Sequence, residues 1–245
     1  MKVRMYNVGF GDCFCLRDRK KSLLVDFGTN NSRIEGRPRR EIFDVIISDL
    51  STIKSKNLLL THFHMDHLSG LLYMMKKKDI SVDFGKIYLP DVFSKKEMSR
   101  TLVLLLLADL LKESGLPSRQ VSLFALVDAL LENKQNVELL SRGKLFENKY
   151  QALWPDTDVI RKETDEVYNR ICEDGKFKEV MDVLLEFAEK LRLIVWSMTA
   201  EGNKPAETVE KETDLTASEL TEQPEVRQKI IRAYVYEREF RRIKA

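Results

Sequence analysis

The chain has 245 residues, long enough for one large domain or two small ones. Its 41 basic and 39 acidic side chains nearly cancel to a formal charge of +2, which leaves no strong electrostatic footprint for nucleic acid. No basic start followed by an apolar stretch and a small-residue cleavage site marks a secretory signal, and the longest apolar run, 102–111, is about half the roughly 20 residues that cross a bilayer. With an odd number of cysteines, Cys13, Cys15 and Cys172, the expectation is a reducing, cytoplasmic setting and no membrane span.

Segments 2–8 and 13–17 alternate in hydropathy and are joined by Gly9-Phe10-Gly11-Asp12, so they read as two strands around a tight turn, with 22–27 as a third, more continuously apolar strand. After a loop over 28–37, Pro38 suits the first position of a helix, and Ile42, Val45, Ile46, Asp49, Leu50 and Ile53 then recur at a period of about 3.6. A compact buried strand at 57–60 runs into a loop that holds all three histidines, and 68–77 beyond it has helical character. A strand at 86–89 ends at Pro90, apolar helices are expected over 95–114 and 121–133 around Gly115-Leu116-Pro117, and 137–140 and 145–154 read as strands. From Asp156 onward strand signals vanish. Helices are expected over 159–172 and 177–198 with Gly175 between them, a polar acidic linker over 201–224, and a charged helix over 226–243.

His62, His64 and His67 lie within six residues of one another, with Asp66 among them. Neutral imidazole nitrogens and a carboxylate are the donors that zinc and related first-row ions prefer, and a loop leaving a buried strand can aim them at one point. The alternative is a set of solvated loop histidines. Asp26 and Asp12 each read equally well as turn-capping carboxylates or as groups that support a metal site. Cys13 and Cys15 read as core cysteines rather than a zinc pair.

His62, His64, Asp66 and His67 match the His-x-His-x-Asp-His signature of the metallo-β-lactamase superfamily, which this chain resembles. The context matches as well: a strand precedes the signature, Asp26-Phe27-Gly28 follows an earlier strand, and Val8-Gly9-Phe10-Gly11-Asp12 looks like the opening of members similar to the metallo-β-lactamase domain of the DNA-uptake competence protein. The resemblance covers about residues 1–90. It implies an α/β fold, the metallo-β-lactamase-like αββα sandwich, with its N-terminal half recognisable here, long helical insertions and a helical C-terminal part. The domain so implied runs over 1–155 with an insertion at about 95–133, followed by a helical region at 156–200, the linker at 201–224 and a last helix at 225–245.

By the same resemblance His62 and His64 hold a first metal ion and Asp66 and His67 a second, zinc in the first place with manganese or iron also suited. Asp66 doubles as catalytic proton acceptor, and Asp26 and Asp12 support the ligands. The implied chemistry is hydrolysis of a phosphodiester or another ester-like bond in a small-molecule or nucleotide substrate. A complete site of the family needs further histidines, and none follows His67. Asp156, Asp158, Cys172 and Asp174 lie in no apolar strand followed by Gly-Asp. Three readings follow: a hydrolase whose missing ligands lie in a further C-terminal segment, one completed by another subunit of an oligomer, or a catalytically silent binding or assembly module.

Two further features carry less. The basic stretch 238–244, interleaved with Phe240 and Ile243, reads as a solvated amphipathic helix end rather than a phosphate contact. The lone Gly9-x-Gly11 is too short for a phosphate loop.

Overall fold

Alternating apolar positions in the first segments give three short strands, β1 (Lys2–Met5), β2 (Phe14–Asp18) and β3 (Lys21–Val25), each antiparallel to the next. The computed structural model describes residues 1–18, 21–77, 83–113, 123–173 and 175–200. A small hairpin follows, β4 (Arg33–Ile34) with β5 (Arg37–Pro38), turned by Glu35 and Gly36 at positive φ. Then come α1 (Arg39–Ser51), β6 (Ser55–Leu59), α2 (Met65–Met75), β7 (Ile87–Pro90), α3 (Ser99–Glu113), α4 (Leu123–Glu132), β8 (Val137–Leu140), the hairpin β9 (Leu145–Phe146) with β10 (Tyr150–Gln151), and two long helices, α5 (Thr157–Glu173) and α6 (Gly175–Ser197). This is the mixed α/β class that the resemblance implies, with a central sheet and six α-helices among the described residues.

The chain divides into two units, one of residues 1–90 and 122–154, the other of residues 91–121 and 155–245. The first holds a six-stranded sheet in the order β1-β2-β3-β6-β7-β8. Its β3, β6, β7 and β8 pair in parallel, and parallel neighbours require crossover connections, which α1, α2 and α4 provide. Register places Cys15, Leu24, Leu58, Ile87 and Val137 in one row across the sheet, and all five are buried. Phe43, Ile46, Ile47 and Leu50 of α1, Leu68 and Leu71 of α2, and Leu126 and Leu130 of α4 supply the apolar surface of that helical layer. Each such side chain stabilises the fold by about 1.5–3 kcal/mol.

The opposite face carries Leu23, Tyr88 and Leu140, which cluster with Phe146 and Ala152 from the β9–β10 region, with Leu16, Val25, Leu59 and Tyr150 packed at the margin. Toward the β1 edge this cover ends: Val3 and Met5 are 61% and 72% exposed.

In the second unit α3 packs against α5 and α6. Met181, Leu184, Ala188, Leu191 and Val195 of α6 recur at three- and four-residue steps and are buried, as are Leu102, Val103 and Leu106 of α3. Arg100 lies over the Tyr168 ring and reaches Asp165 at 2.9 Å, which ties α3 to α5. No helix among the described residues is long and apolar enough to cross a membrane.

Several sequence expectations need correction. The stripe expected on α1 is buried at Ile46 and Leu50 as read, but Phe43 and Ile47 join it while Val45 is exposed and Ile42 and Asp49 are half-buried. Pro38 precedes α1 and pairs with Arg33 in the small hairpin. The helix after the histidine loop starts at Met65, three residues earlier than expected, so Asp66 and His67 ride on its first turn. The strand expected over 145–154 is broken into a two-residue hairpin, because Glu147 and Asn148 adopt positive φ and reverse the chain. The residues Gly115-Leu116-Pro117, Asp174 and everything from Glu201 onward, including the expected linker and last helix, lie outside the described residues.

Candidate metal centre

The site starts where β3 stops. Asp26 has φ of +54°, a left-handed conformation that Asp tolerates better than most residues, and its backbone N–H still donates to the Leu59 carbonyl at 2.8 Å. The turn swings its side chain inward, where it is buried and accepts three hydrogen bonds: from the Thr61 backbone N–H at 2.8 Å, from Thr61 Oγ1 at 2.7 Å and from His67 Nδ1 at 3.0 Å. Three donors account for a buried carboxylate that would otherwise cost several kcal/mol.

Two glycines let the backbones meet. A Cβ on Gly28 would fall 2.6 Å from the Leu68 nitrogen and 2.7 Å from the carbonyl carbons of Asp66 and His67, and one on Gly11 would fall 2.2 Å from the Gly28 oxygen. In that space the Phe27 N–H donates to the His67 carbonyl at 2.7 Å, the Gly70 N–H to the Phe27 carbonyl at 2.8 Å, and the Asp12 N–H to the Asp66 carbonyl at 3.2 Å. The Ser69 hydroxyl closes the same contact by accepting from the Thr29 N–H and donating to the Thr29 carbonyl, both at 2.9 Å. The first turn of α2, with Asp66 and His67 on it, is therefore fixed to the loop after β3 by backbone hydrogen bonds, to which the buried Ser69 hydroxyl adds two more. Asp66 also suits this place because a carboxylate complements the positive end of a helix.

From these anchors the imidazoles converge. The rings of His62 and His67 are 3.7 Å apart between centroids, and those of His62 and His64 are 4.7 Å apart. One ligand atom each from His62, Asp66 and His67 lies within 4.8 Å of the others, as does one each from Asp12, Asp26 and His67. The second trio is better described as hydrogen bonding, because Asp26 already takes His67 Nδ1 and Asp12 Oδ2 stands 3.6 Å from that nitrogen, beyond hydrogen-bond reach. The first trio fits a divalent cation. His67 Nε2 faces Asp66 Oδ2 at 3.7 Å, and with Nδ1 held by Asp26 it is the nitrogen left to coordinate. Two imidazoles and a carboxylate are also the three protein donors typical of a catalytic zinc.

Electrostatics separates the two histidines. Burial, aided by the neighbouring charges of His67 and His64, holds His62 below the usual histidine range. For His67, burial pulls downward too, but the Asp26 hydrogen bond together with the charges of Asp26, Asp66 and Asp12 outweighs it, and the group titrates above the usual range.

Of the residues singled out in the sequence, His62, Asp66, His67, Asp26 and Asp12 are brought together, and His64 stands beside His62 at the N-terminal boundary of α2, outside both trios. The trio joins one member of the first expected pair, His62, to both members of the second, Asp66 and His67. Cys13 and Cys15 are buried free thiols, and burial holds Cys13 well above the ordinary thiol range. Thr61 was the residue sequence reasoning passed over: it touches both Asp26 and His62, and its only signal was its place directly before the signature.

Residues 6–91 match the model of the Metallo-beta-lactamase superfamily, a stretch that contains every residue of the site and ends one residue past β7. A 77-residue segment is 32% identical to Endoribonuclease YSH1 of Mycosarcoma maydis, which covers 31% of this chain and 8% of that protein. The chain thus spans a small fraction of the length of this relative. No solved structure matches.

Proposed function

We propose that the chain is a metal-dependent hydrolase acting on a phosphodiester or another ester-like bond of a nucleotide or other small substrate, with zinc, or else manganese or iron, held by His62, Asp66 and His67 and with His64 as a further ligand. The observation that carries this reading is the convergence of two imidazoles and a carboxylate while a buried carboxylate secures the far side of His67. The name of the Mycosarcoma maydis relative, an endoribonuclease, favours a phosphodiester. Similarity to the competence-protein branch and a cytoplasmic setting belong to the same proposal.

A divalent ion bound here would supply Lewis acidity and a lowered water pKa. The residues supply the rest. Asp66 is partly exposed and offers a carboxylate oxygen to a proton leaving a nucleophile. Asp26 holds the His67 ring in one orientation, and the backbone contacts at Gly11 and Gly28 keep Asp66 and His67 in fixed register with the loop after β3. Preorganisation of this kind keeps a ligand set from rearranging at the cost of binding energy.

The test is cleavage of bis(p-nitrophenyl) phosphate by the chain loaded with zinc or manganese, with loss of activity in His64→Ala and Asp66→Asn. A metal-loaded chain inert toward phosphodiester and carboxylic ester substrates alike contradicts the reading. A second reading, a silent binding or assembly module, is favoured by the exposed apolar side chains Val3, Met5, Leu153 and Trp154 in the first unit. Metal bound without turnover would favour it.

A further inference from the structure

We propose that Thr61 is a positioning residue that decides which nitrogen of His62 is free to take a metal ion, so that the single buried carboxylate of Asp26 orients two imidazoles, His67 directly and His62 through the Thr61 hydroxyl. The inference deepens the metal-binding reading above and rests on it for its consequence, though not for its geometry.

The argument is a count of protons. Thr61 Oγ1 has one hydrogen and two polar neighbours, Asp26 Oδ2 at 2.7 Å and His62 Nδ1 at 2.9 Å. A carboxylate only accepts, so a hydroxyl pointed at His62 would leave Oγ1 and Oδ2 facing each other as two acceptors at 2.7 Å. The hydroxyl proton therefore goes to Asp26, a charge-assisted bond stronger than the neutral alternative. Oγ1 is then left with lone pairs toward His62, and Nδ1 can fill the contact only as a donor. His62 thus carries its proton on Nδ1 and presents the Nε2 lone pair, and the same logic fixes His67, whose Nδ1 donates to Asp26.

Nothing else among the described contacts imposes this on His62. A neutral imidazole left to itself prefers the proton on Nε2, the arrangement that blocks coordination through that nitrogen. Thr61 also donates its backbone N–H to Asp26 Oδ1 at 2.8 Å, so its position survives loss of the hydroxyl and the relay can be removed without releasing the loop.

The experiment records imidazole nitrogen-15 spectra of the metal-free chain, at a pH where both histidines are neutral, for wild type, Thr61→Val and Thr61→Ser, alongside cobalt(II) titrations of the same proteins. Wild type and Thr61→Ser should show His62 protonated on Nδ1, and Thr61→Val should move the proton to Nε2 and weaken cobalt binding by about 10–100-fold, with Thr61→Ser restoring it. His62 protonated on Nε2 in the wild type, or unchanged in Thr61→Val, overturns the proposal. Should Thr61→Val fail to fold, the wild-type and Thr61→Ser spectra still decide the assignment. A wild type with the expected tautomer that binds no cobalt supports the role of Thr61 and sinks the hydrolase reading, so the two fail separately.

Discussion

Asp26→Asn is the substitution whose effect follows most completely from the geometry. Asn tolerates the positive φ of position 26 as Asp does, so the change removes a charge and one acceptor without new backbone strain, whereas Ala would add about 1–2 kcal/mol. The amide oxygen can still accept from the Thr61 N–H, but the amide nitrogen then faces Thr61 Oγ1 and His67 Nδ1, two groups that now donate. To meet it, His67 must expose the Nδ1 lone pair and carry its proton on Nε2, the nitrogen that faces Asp66. Metal affinity should fall by about 10–100-fold, equivalent to about 1.4–2.8 kcal/mol. The metal-free chain should lose about 1–3 kcal/mol of stability with the charge-assisted bonds. Competition titration of zinc against a chromophoric chelator gives the first quantity and urea denaturation the second. A variant that binds zinc as tightly as wild type would refute the assignment of Asp26 as the group that orients His67.

The same contacts and burial set three other outcomes. Gly28→Ala places a methyl 2.6 Å from the Leu68 nitrogen, so backbone must shift, and thermal denaturation should show a loss of about 1–3 kcal/mol or more together with weakened metal binding; Gly175→Ala, with nothing within 4 Å, should be nearly neutral. The pH dependence of metal-free stability should peak near the unperturbed histidine value. His67, with its folded pKa raised, contributes stability that is full below that value and lost as pH rises through its folded pKa, and His62, lowered, makes stability fall as pH drops from that value toward its own folded pKa. Urea titrations across pH 5–8 should show both limbs, and Asp26→Asn should flatten the alkaline one. In the helical unit, Leu106→Ala removes a fully buried side chain of α3 and should cost about 2–5 kcal/mol by chemical denaturation, without altering metal affinity.

Much of the site was legible because its chemistry is local in sequence. Three imidazoles and a carboxylate within one short segment need no tertiary knowledge to be noticed, and Asp26 was marked by its place after a strand. What the sequence could not give was the proton accounting: that Asp26 is saturated by Thr61 and His67, and that Asp12 stands just out of hydrogen-bond reach, depends on side-chain positions set by long-range contacts. The roles of Gly11 and Gly28 were hidden for the same reason, since close approach of distant backbones leaves no periodic trace. The short apolar run at 137–140, the edge strand β8, was read at its true bounds, while the 145–154 segment was not, because a turn formed by Glu147 and Asn148 in positive φ has weak residue signals. On α1, Ile46 and Leu50 were read on the buried face, whereas Phe43 and Ile47 were missed in favour of Val45, because all are apolar and only packing decides which is buried.

The measurement that bears most directly on the whole account is metal analysis of the chain after exposure to excess zinc and exhaustive dialysis, beside a His62→Ala/His67→Ala variant carried through the same steps. Convergence of His62, Asp66 and His67 predicts at least one equivalent of zinc retained by the wild type and none by the variant. Equal, negligible zinc in both would mean that these side chains lie close together without serving a cation.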